Sequence, residues 1–290
     1  MGQVIAVLDV GGTSIKTGSV RFADRADDDP RVTVGSALPT LANESAEVIL
    51  DRLAESVDVA LDLAGRDVLG LAIAICGPFD LEAGESRMRG VHKFEDIYGI
   101  DLRTALRDRS TVAGLPIRFA RDAESAGTGE ALDGAGRGVD RVLTITVGTG
   151  LGTCLTDHAM PVEFVDGFGV EHLGMRETPW GRSDDVLSAY GLANRLGVEM
   201  AELHTAVDDP ANAETVSDHG RRLGTFLAAV VDEFEAQLVV ISGGFSAAFD
   251  QFGPALQAAL GDTPARPASL GAAGPLLGAA HLTFRAQLHE

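Results

Sequence analysis

Short apolar runs alternate with helix-like segments along the chain and predict a mixed α/β fold. Residues 3–22 predict two strands joined by a glycine turn, and residues 69–76 form an apolar run that predicts a fully buried strand. Further apolar strands are predicted at 117–120, 139–146 and 238–242. Strands that are apolar on both faces and follow helices are typical of a central sheet covered by helices.

Helical periodicity marks the segments between these strands. In residues 44–64, Val48, Leu53 and Val57 recur at the spacing of one helix face. Residues 161–185 instead form a long polar segment with interleaved glycines and the only tryptophan, which we expect to be a functional loop. Further helices are predicted at 101–109, 186–203, 214–235, 248–260 and 275–288.

An aspartate and two glycines stand where the first strand ends, in the run Asp9-Val10-Gly11-Gly12-Thr13-Ser14-Ile15-Lys16. The backbone N–H groups of Gly11, Gly12 and Thr13 could cradle a phosphate, and Asp9 could hold a hydrated Mg²⁺ beside it. The turn is not a Walker loop, because it lacks the GK[ST] ending and apolar sequence resumes at a strand-like period. An ordinary tight hairpin is the alternative, since this composition is common in turns.

A second glycine-rich turn, Gly148-Thr149-Gly150-Leu151-Gly152, again joins one apolar strand to another. The repeated strand–turn–strand design predicts a duplicated βββαβα architecture, with a ligand clamped in a cleft between the halves. We place the domain boundary near residue 117, with a first lobe at 1–117 and a second at 118–274. The closing helix, 275–290, is assigned to the first lobe.

Charge and cysteine content exclude several classes of protein. The formal net charge of −20, from 43 acidic residues against 23 lysines and arginines, argues against a nucleic-acid-binding surface. Cys76 and Cys154 lie far apart in apolar runs and are interpreted as buried thiols in a reducing cytoplasm, which excludes a cysteine-based zinc site. No run approaches the ~20 apolar residues of a membrane span. Since the first strand starts close to Met1, we expect a cytoplasmic protein without a targeting segment or an N-terminal DNA-binding module.

Four motifs, taken in order, resemble those of the ROK family of sugar kinases and repressors, within the actin, hexokinase and Hsp70 superfamily. The resemblance spans essentially the whole chain and implies a two-lobed actin-like ATPase fold, also called ribonuclease H-like. The two glycine turns resemble the phosphate motifs, Ile241-Ser242-Gly243-Gly244 resembles the adenosine motif, and Gly274-Pro275-Leu276-Leu277-Gly278-Ala279-Ala280 resembles the family's closing helix.

The resemblance implies an ATP-dependent sugar kinase. In these kinases an aspartate at a helix start takes the proton from a sugar hydroxyl, which attacks the γ-phosphate of Mg-ATP; here it is Asp122. An ionised carboxylate can accept that proton, and Asp122 is assigned as the catalytic base; the alternative role is that of an ordinary helix N-cap. The nucleotide, with Mg²⁺ on Asp9 and its phosphates, would be bound by Asp9, Gly11, Gly12, Thr13, Lys16, Gly148, Thr149, Gly150, Gly152, Gly243 and Gly244.

The sugar site departs from the family pattern. Arg121 replaces the usual asparagine before the base, and Gly174 stands at the usual histidine, with His172 displaced by two residues. Asp184 stands where a further sugar-binding glutamate is expected, and the family's cysteine-rich zinc motif is absent, as in some glucokinase-like members. The residues assigned to the sugar are Gly77, Arg121, Asp122, Glu171, His172 and Asp184.

Two interpretations of Arg121 remain open. The cation could favour an anionic acceptor, such as a sugar acid or a sugar phosphate, or it could form a structural ion pair with Glu124 or Glu171. A hexose-like sugar is therefore expected as the acceptor, without a commitment to glucose.

The alternative to a kinase is a non-catalytic or sugar-sensing protein on the same fold, which binds a sugar or nucleotide without turnover. Polyphosphate as the phosphoryl donor would call for extra basic surface, which this acidic chain lacks. The resemblance also suggests a homodimer. The net charge and the lack of a long apolar run lead us to expect no nucleic-acid or membrane partner.

Overall fold

The computed structural model describes residues 3–22, 30–90, 93–112, 114–162 and 170–287, the last without the side chains of residues 170–172. Its first half contains β1 (Val4–Val10), β2 (Ser14–Arg21), β3 (Arg31–Pro39), α1 (Ala46–Ala64), β4 (Val68–Ile75), β5 (Phe79–Asp80), β6 (Glu85–Ser86), α2 (Leu102–Arg109), β7 (Ile117–Arg121) and α3 (Asp122–Asp133). The second half contains β8 (Arg141–Val147), β9 (Leu151–Asp157), β10 (Met160–Pro161), β11 (Glu177–Thr178), β12 (Gly181–Arg182), α4 (Ser183–Leu187), α5 (Ala189–Leu196), α6 (Leu203–Asp208), α7 (Ala213–Phe234), β13 (Leu238–Ser242), α8 (Phe249–Leu260), β14 (Ala265–Pro267) and α9 (Ala273–Phe284).

The chain divides into two compact units. The first comprises Met1–Ser125 with Ala272–Glu290, and the second comprises Ala126–Gly271. The boundary predicted near residue 117 differs from this division, because β7 pairs in parallel with β4 and so completes the first sheet. Asp122, which follows β7, therefore belongs to the first unit rather than to the second lobe, where the sequence had placed it.

The first unit is built on a five-stranded sheet of order β3-β2-β1-β4-β7. Every residue of β1 is buried, as its uninterrupted apolar run predicts. Alternate residues of a strand face opposite sides of the sheet, and Ala6 and Leu8 pack in one apolar cluster with residues of α1. The intervening side chains face the other side, where α9 contacts β1, β4 and β7. Helices therefore cover both faces of this sheet.

Two glycines allow α9 to approach the sheet closely. A Cβ atom on Gly18 would lie 2.7 Å from a methyl carbon of Leu276, and one on Gly70 would collide with the ring of Phe284. Any larger residue at either position would push α9 away from β2 or β4. The last helix of the chain is thus part of the first unit's core.

The second unit repeats the strand order of the first. Its sheet has the order β10-β9-β8-β13-β14, with β8 and β9 antiparallel and β13 and β14 parallel to β8. Against this sheet, α7 and α8 pack closely together at Gly220 and Gly224, where a Cβ atom would overlap the backbone of α8. The duplicated α/β architecture predicted from the two glycine turns is present.

The segments predicted as one loop and one helix are more divided than the sequence suggested. Of the predicted loop 161–185, residues 163–169 lie outside the described residues, and the rest contains a 3₁₀ turn and the β11–β12 hairpin. The helix predicted at 186–203 is split, because Ser188 caps the start of α5 and Gly197 ends it with φ 69°. Among the residues that the structure describes, no helix is long and apolar enough to span a membrane.

Candidate functional site

The carboxyl ends of three parallel strands in the first unit bring candidate residues to one edge of the sheet. β4 runs parallel to both β1 and β7. Asp9 lies near the end of β1, Cys76 and Gly77 follow β4, and Asp122 follows β7. Parallel strands end at the same edge, which is where open α/β sheets bind their ligands. The Gly77–Pro78 peptide bond at this edge is cis.

The first glycine turn is held by hydrogen bonds to its own backbone and to the end of β3. Gly11 N–H donates to the carbonyl of Ser14 at 3.1 Å, while Thr40 Oγ1 donates to the carbonyl of Gly11 at 2.8 Å. Gly12 and Thr13 at the tip are exposed. The turn is therefore a fixed loop whose tip is accessible to an anion.

Lys16 is bound to Asp9. The two residues lie opposite each other in the β1–β2 pair, and Lys16 Nζ lies 2.6 Å from Asp9 Oδ2. Asp9 is only 6% exposed, so this ion pair compensates a carboxylate that is largely removed from water. Lys16, predicted to face the phosphates, thus carries a strong contact within the protein.

Asp122 is the first residue of α3, and its Oδ1 accepts a hydrogen bond from Ala123 N–H at 2.8 Å. Burial and then the negative charge of Asp9 raise its pKa above the ordinary aspartate value, although Ala123 N–H and Lys93 act in the opposite direction. A carboxylate with a raised pKa is a better proton acceptor near neutral pH. Asp122 therefore both begins helix α3 and places a carboxylate of raised pKa at the carboxyl edge of the sheet.

Lys93 is a residue of this edge that the sequence analysis did not identify. Its side chain lies over the first glycine turn, since a Cβ atom on Gly12 would be 3.4 Å from Lys93 Cδ. The side chain also forms a hydrogen bond with Cys76, whose pKa burial raises to about 11. Lys93 lies 77 residues beyond Lys16 in a segment without a recognisable motif, so no local pattern indicated it.

Arg121 forms an ion pair with Glu124, at 3.4 Å between Nη1 and Oε1. This is one of the two structural pairings that the sequence left open, and the Arg121 side chain is 44% exposed. The side chains of Glu171 and His172, both assigned to the sugar, lie outside the described part of the chain.

The second glycine turn, in the second unit, is closed by Gly148 N–H, which donates to the carbonyl of Gly150 at 3.0 Å. The half-buried Asp184 contacts this turn, since its Oδ1 accepts a hydrogen bond of 2.5 Å from the N–H of Leu151. Thr149 is exposed, and Gly152 follows in β9. Asp184, assigned by resemblance to the sugar, thus makes a contact with the phosphate-type turn that the sequence did not predict.

The adenosine-type motif begins where β13 ends. Gly243 has φ 85°, and a Cβ atom there would lie 2.7 Å from the carbonyl oxygen of Val147. Gly244 is exposed and has open space where a Cβ atom would project. The first glycine therefore serves the close approach of β13 to β8, while the second leaves its surface open.

Within the described ranges, no group of three or more histidine, cysteine, aspartate or glutamate side chains could hold a metal ion. Mg²⁺ at a phosphate-transfer site needs fewer protein ligands, because it commonly takes one or two carboxylates together with substrate phosphates and water. Asp9 fits this requirement, since it is a carboxylate beside an exposed glycine turn.

Comparison with known proteins identifies the class to which this fold and these motifs belong. The Streptomyces griseus ROK family glucokinase, solved with glucose and AMPPNP, matches with a TM-score of 0.76 at 22% identity, covering 97% of this chain and 99% of that one. A ROK family transcriptional regulator, a homologue of the E. coli MLC protein, matches with a TM-score of 0.74 at 16% identity, over 96% and 78% of the two chains. The fold is therefore the two-domain, actin-like α/β fold of ROK kinases, as predicted.

The sequence comparison identifies the family within this fold. The model of the ROK family matches residues 5–167, which is more than half of the chain. The glucokinase of Thermotoga maritima is 25% identical over 85% of this chain and 84% of its own length. The chain belongs to the ROK family and is similar to its sugar kinases, which confirms the resemblance drawn from the motifs.

Proposed function

We propose that this protein is an ATP-dependent sugar kinase, which transfers the γ-phosphoryl group of ATP to a hydroxyl of a hexose-like sugar. The observation that carries the proposal is Asp122: a carboxylate of raised pKa at the sheet edge that also bears Asp9 and the first glycine turn. Support comes from the similarity to glucokinases, one of which was solved with glucose and an ATP analogue.

In the proposed reaction, Asp122 accepts the proton of the attacking hydroxyl as its oxygen bonds to the γ-phosphorus. The bond between that phosphorus and the β,γ-bridging oxygen breaks, and ADP leaves. The N–H groups of Gly12 and Thr13 would orient the phosphates, while Gly11, whose own N–H donates to the Ser14 carbonyl, shapes the turn. Mg²⁺ held by Asp9 and the phosphates would supply neutralisation of the charge on the transferred group. Catalysis would come mainly from positioning and electrostatic stabilisation.

The glycines of the second unit are proposed to bind the same class of ligand. Gly148, Thr149, Gly150 and Gly152 would contact nucleotide phosphates, and Gly243 and Gly244 would contact the adenosine. The exposed positions of Thr149 and Gly244 support this assignment, since their backbone is accessible to a ligand.

An assay of ADP release with Mg-ATP, over a panel of neutral hexoses, amino sugars, sugar acids and sugar phosphates, tests the proposal. We expect release that depends on a neutral hexose, because Arg121 is engaged by Glu124. Release only with an anionic sugar would assign Arg121 to the substrate. No sugar-dependent release with any acceptor would contradict the kinase.

The alternative is a sugar-sensing or non-catalytic protein, which the similarity to a ROK transcriptional regulator favours. Gly174 at the position of the family's histidine and the contact of Asp184 with Leu151 point the same way, because each removes an expected sugar contact. Calorimetric binding of a sugar or nucleotide by the protein, combined with no ADP release, would establish this alternative.

A further inference from the structure

The chain contains two lysines, Lys16 and Lys93, and only one of them is paired with the aspartate beside the first glycine turn. Lys16 and Asp9 face each other across two hydrogen-bonded strands, so the pair has no net charge and a geometry set by the sheet register. A neutral pair attracts an anion weakly. The family's phosphate motif therefore brings little free positive charge to its own turn in this chain.

Lys93 reaches the same turn from elsewhere in the first unit. Its aliphatic stem lies over Gly12, and its amine forms a hydrogen bond with the thiol of Cys76 at the end of β4. A neutral thiol is a weak partner, whereas an ammonium carries three donors. The amine is therefore close to the turn and retains donor capacity for a stronger acceptor.

The charges around Lys93 are mainly negative, so a cation at this position would favour the binding of an anion. Asp122 and Asp9 both act electrostatically on Cys76, as Lys93 does, and Lys93 also acts on Asp122. The carboxylate of Asp122 repels an approaching polyphosphate, as does the net charge of −20 on the chain as a whole. A compact ammonium over the glycine turn offsets this repulsion at the place where the transferred group is expected.

We propose that Lys93, rather than Lys16, is the cation that binds the terminal phosphate of the nucleotide at the first glycine turn. The inference rests on the proposed kinase function, because it assigns the phosphate site of that reaction. It predicts that Lys93 distinguishes a nucleoside triphosphate from a diphosphate, since only the triphosphate carries the group that the ammonium contacts.

Calorimetric titration of the full-length protein with AMPPNP and with ADP, both with Mg²⁺, tests this assignment without turnover. We expect Lys93→Met to raise the Kd of AMPPNP about tenfold and that of ADP less than about twofold. Lys93→Arg should retain most of the affinity because it keeps the charge. Arg52→Met, which removes one positive charge from a surface ion pair with Glu55 on α1, is the matched control and should bind like the parent protein.

Equal weakening of AMPPNP and ADP in Lys93→Met, or no change in either, would overturn the assignment. Lys93→Gln repeats the measurement should the methionine variant fail to fold. A selective loss of AMPPNP binding together with no phosphorylated sugar would support the role of Lys93 and contradict the kinase. A parent protein that binds neither nucleotide would overturn both.

Discussion

Asp184 Oδ1 lies 2.5 Å from the backbone nitrogen of Leu151, which ties the first turn of α4 to the second glycine turn. Gly174 packs against the same carboxylate, since a Cβ atom there would lie 3.2 Å from Asp184 Oδ1. Two departures from the family's sugar-site pattern are therefore coupled in space. The small residue at 174 leaves the room that the carboxylate at 184 occupies.

Removal of the Asp184 carboxylate is expected to loosen the second glycine turn. Asp184→Ala leaves the part-buried N–H of Leu151 without its acceptor, which costs about 1–3 kcal/mol of unfolding free energy. Asp185→Ala is the control, because Asp185 forms an exposed ion pair with Arg182, worth less than ~1 kcal/mol. Urea denaturation measures both, and equal effects would contradict the role of Asp184.

Alanine substitution of the two glycines after β13 is expected to change the unfolding free energy by very different amounts. Gly243→Ala introduces a Cβ atom at φ 85° and 2.7 Å from the Val147 carbonyl oxygen, and should destabilise by about 1–3 kcal/mol. Gly244→Ala meets open space and should change the unfolding free energy by less than about 0.5 kcal/mol. Thermal and urea unfolding compare these neighbours, and similar destabilisation by both would refute the close-approach explanation.

Glu130 is expected to stabilise two backbone segments of the second unit. Its carboxylate is 1% exposed and accepts hydrogen bonds from the N–H groups of Ala135, Ser269 and Leu270, at 2.8, 3.0 and 2.9 Å. Glu130→Ala leaves these donors unpaired and should cost about 3 kcal/mol or more. Asp133→Ala, which removes a surface ion pair with Arg137, should cost under ~1 kcal/mol by the same denaturation measurement. A small effect at Glu130 would mean that water replaces its hydrogen bonds.

His219 should make the protein less stable in mild acid. Burial, followed by the charges of Arg195 and Arg222, lowers its pKa from 6.5 to about 4, while Asp218 opposes this effect. Between these values the unfolded chain binds more protons, so the stabilisation is complete above pH ~6.5 and is lost as the pH falls towards ~4. The difference between the two pKa values corresponds to roughly 3 kcal/mol.

His219→Leu cannot titrate, so its unfolding free energy should fall less than that of the parent protein between pH 6.5 and 4. The exposed His204→Gln is the control and should keep the parent dependence. Urea unfolding at a series of pH values provides the comparison. If the unfolding free energies of the leucine variant and the parent protein fell in parallel with pH, His219 would be excluded as the source of the acid sensitivity.

Asp122→Asn should lower turnover strongly while the nucleotide still binds. The amide retains an oxygen for Ala123 N–H but cannot accept the hydroxyl proton, so kcat should fall by about 10²–10⁴. The Kd of AMPPNP should change by less than about twofold, as measured by calorimetry. Asp133→Asn, at the other end of α3, is the control for a lost charge. A near-normal kcat in Asp122→Asn would remove Asp122 from the mechanism.

Two helices were predicted correctly because the spacing of apolar residues within a short segment is enough to indicate a helix. The helix predicted at 44–64 is α1 at Ala46–Ala64, and the helix predicted at 214–235 is α7 at Ala213–Phe234. The helix predicted at 186–203 failed to appear as one element, since the period of its apolar residues continues across the cap at Ser188. Local caps therefore divided a segment whose apolar pattern was continuous.

The sequence by itself determined strands β1, β2, β4, β7, β8, β9 and β13, the two glycine turns, their order and the place of Asp122 directly after a strand, because each is a property of consecutive residues. Only the tertiary structure decided that β7 completes the first sheet, that Lys93 reaches Gly12 and that Asp184 binds Leu151. These contacts join residues far apart in the chain. They depend on strand pairing and loop packing, and no local periodicity encodes which distant side chain arrives at a given turn.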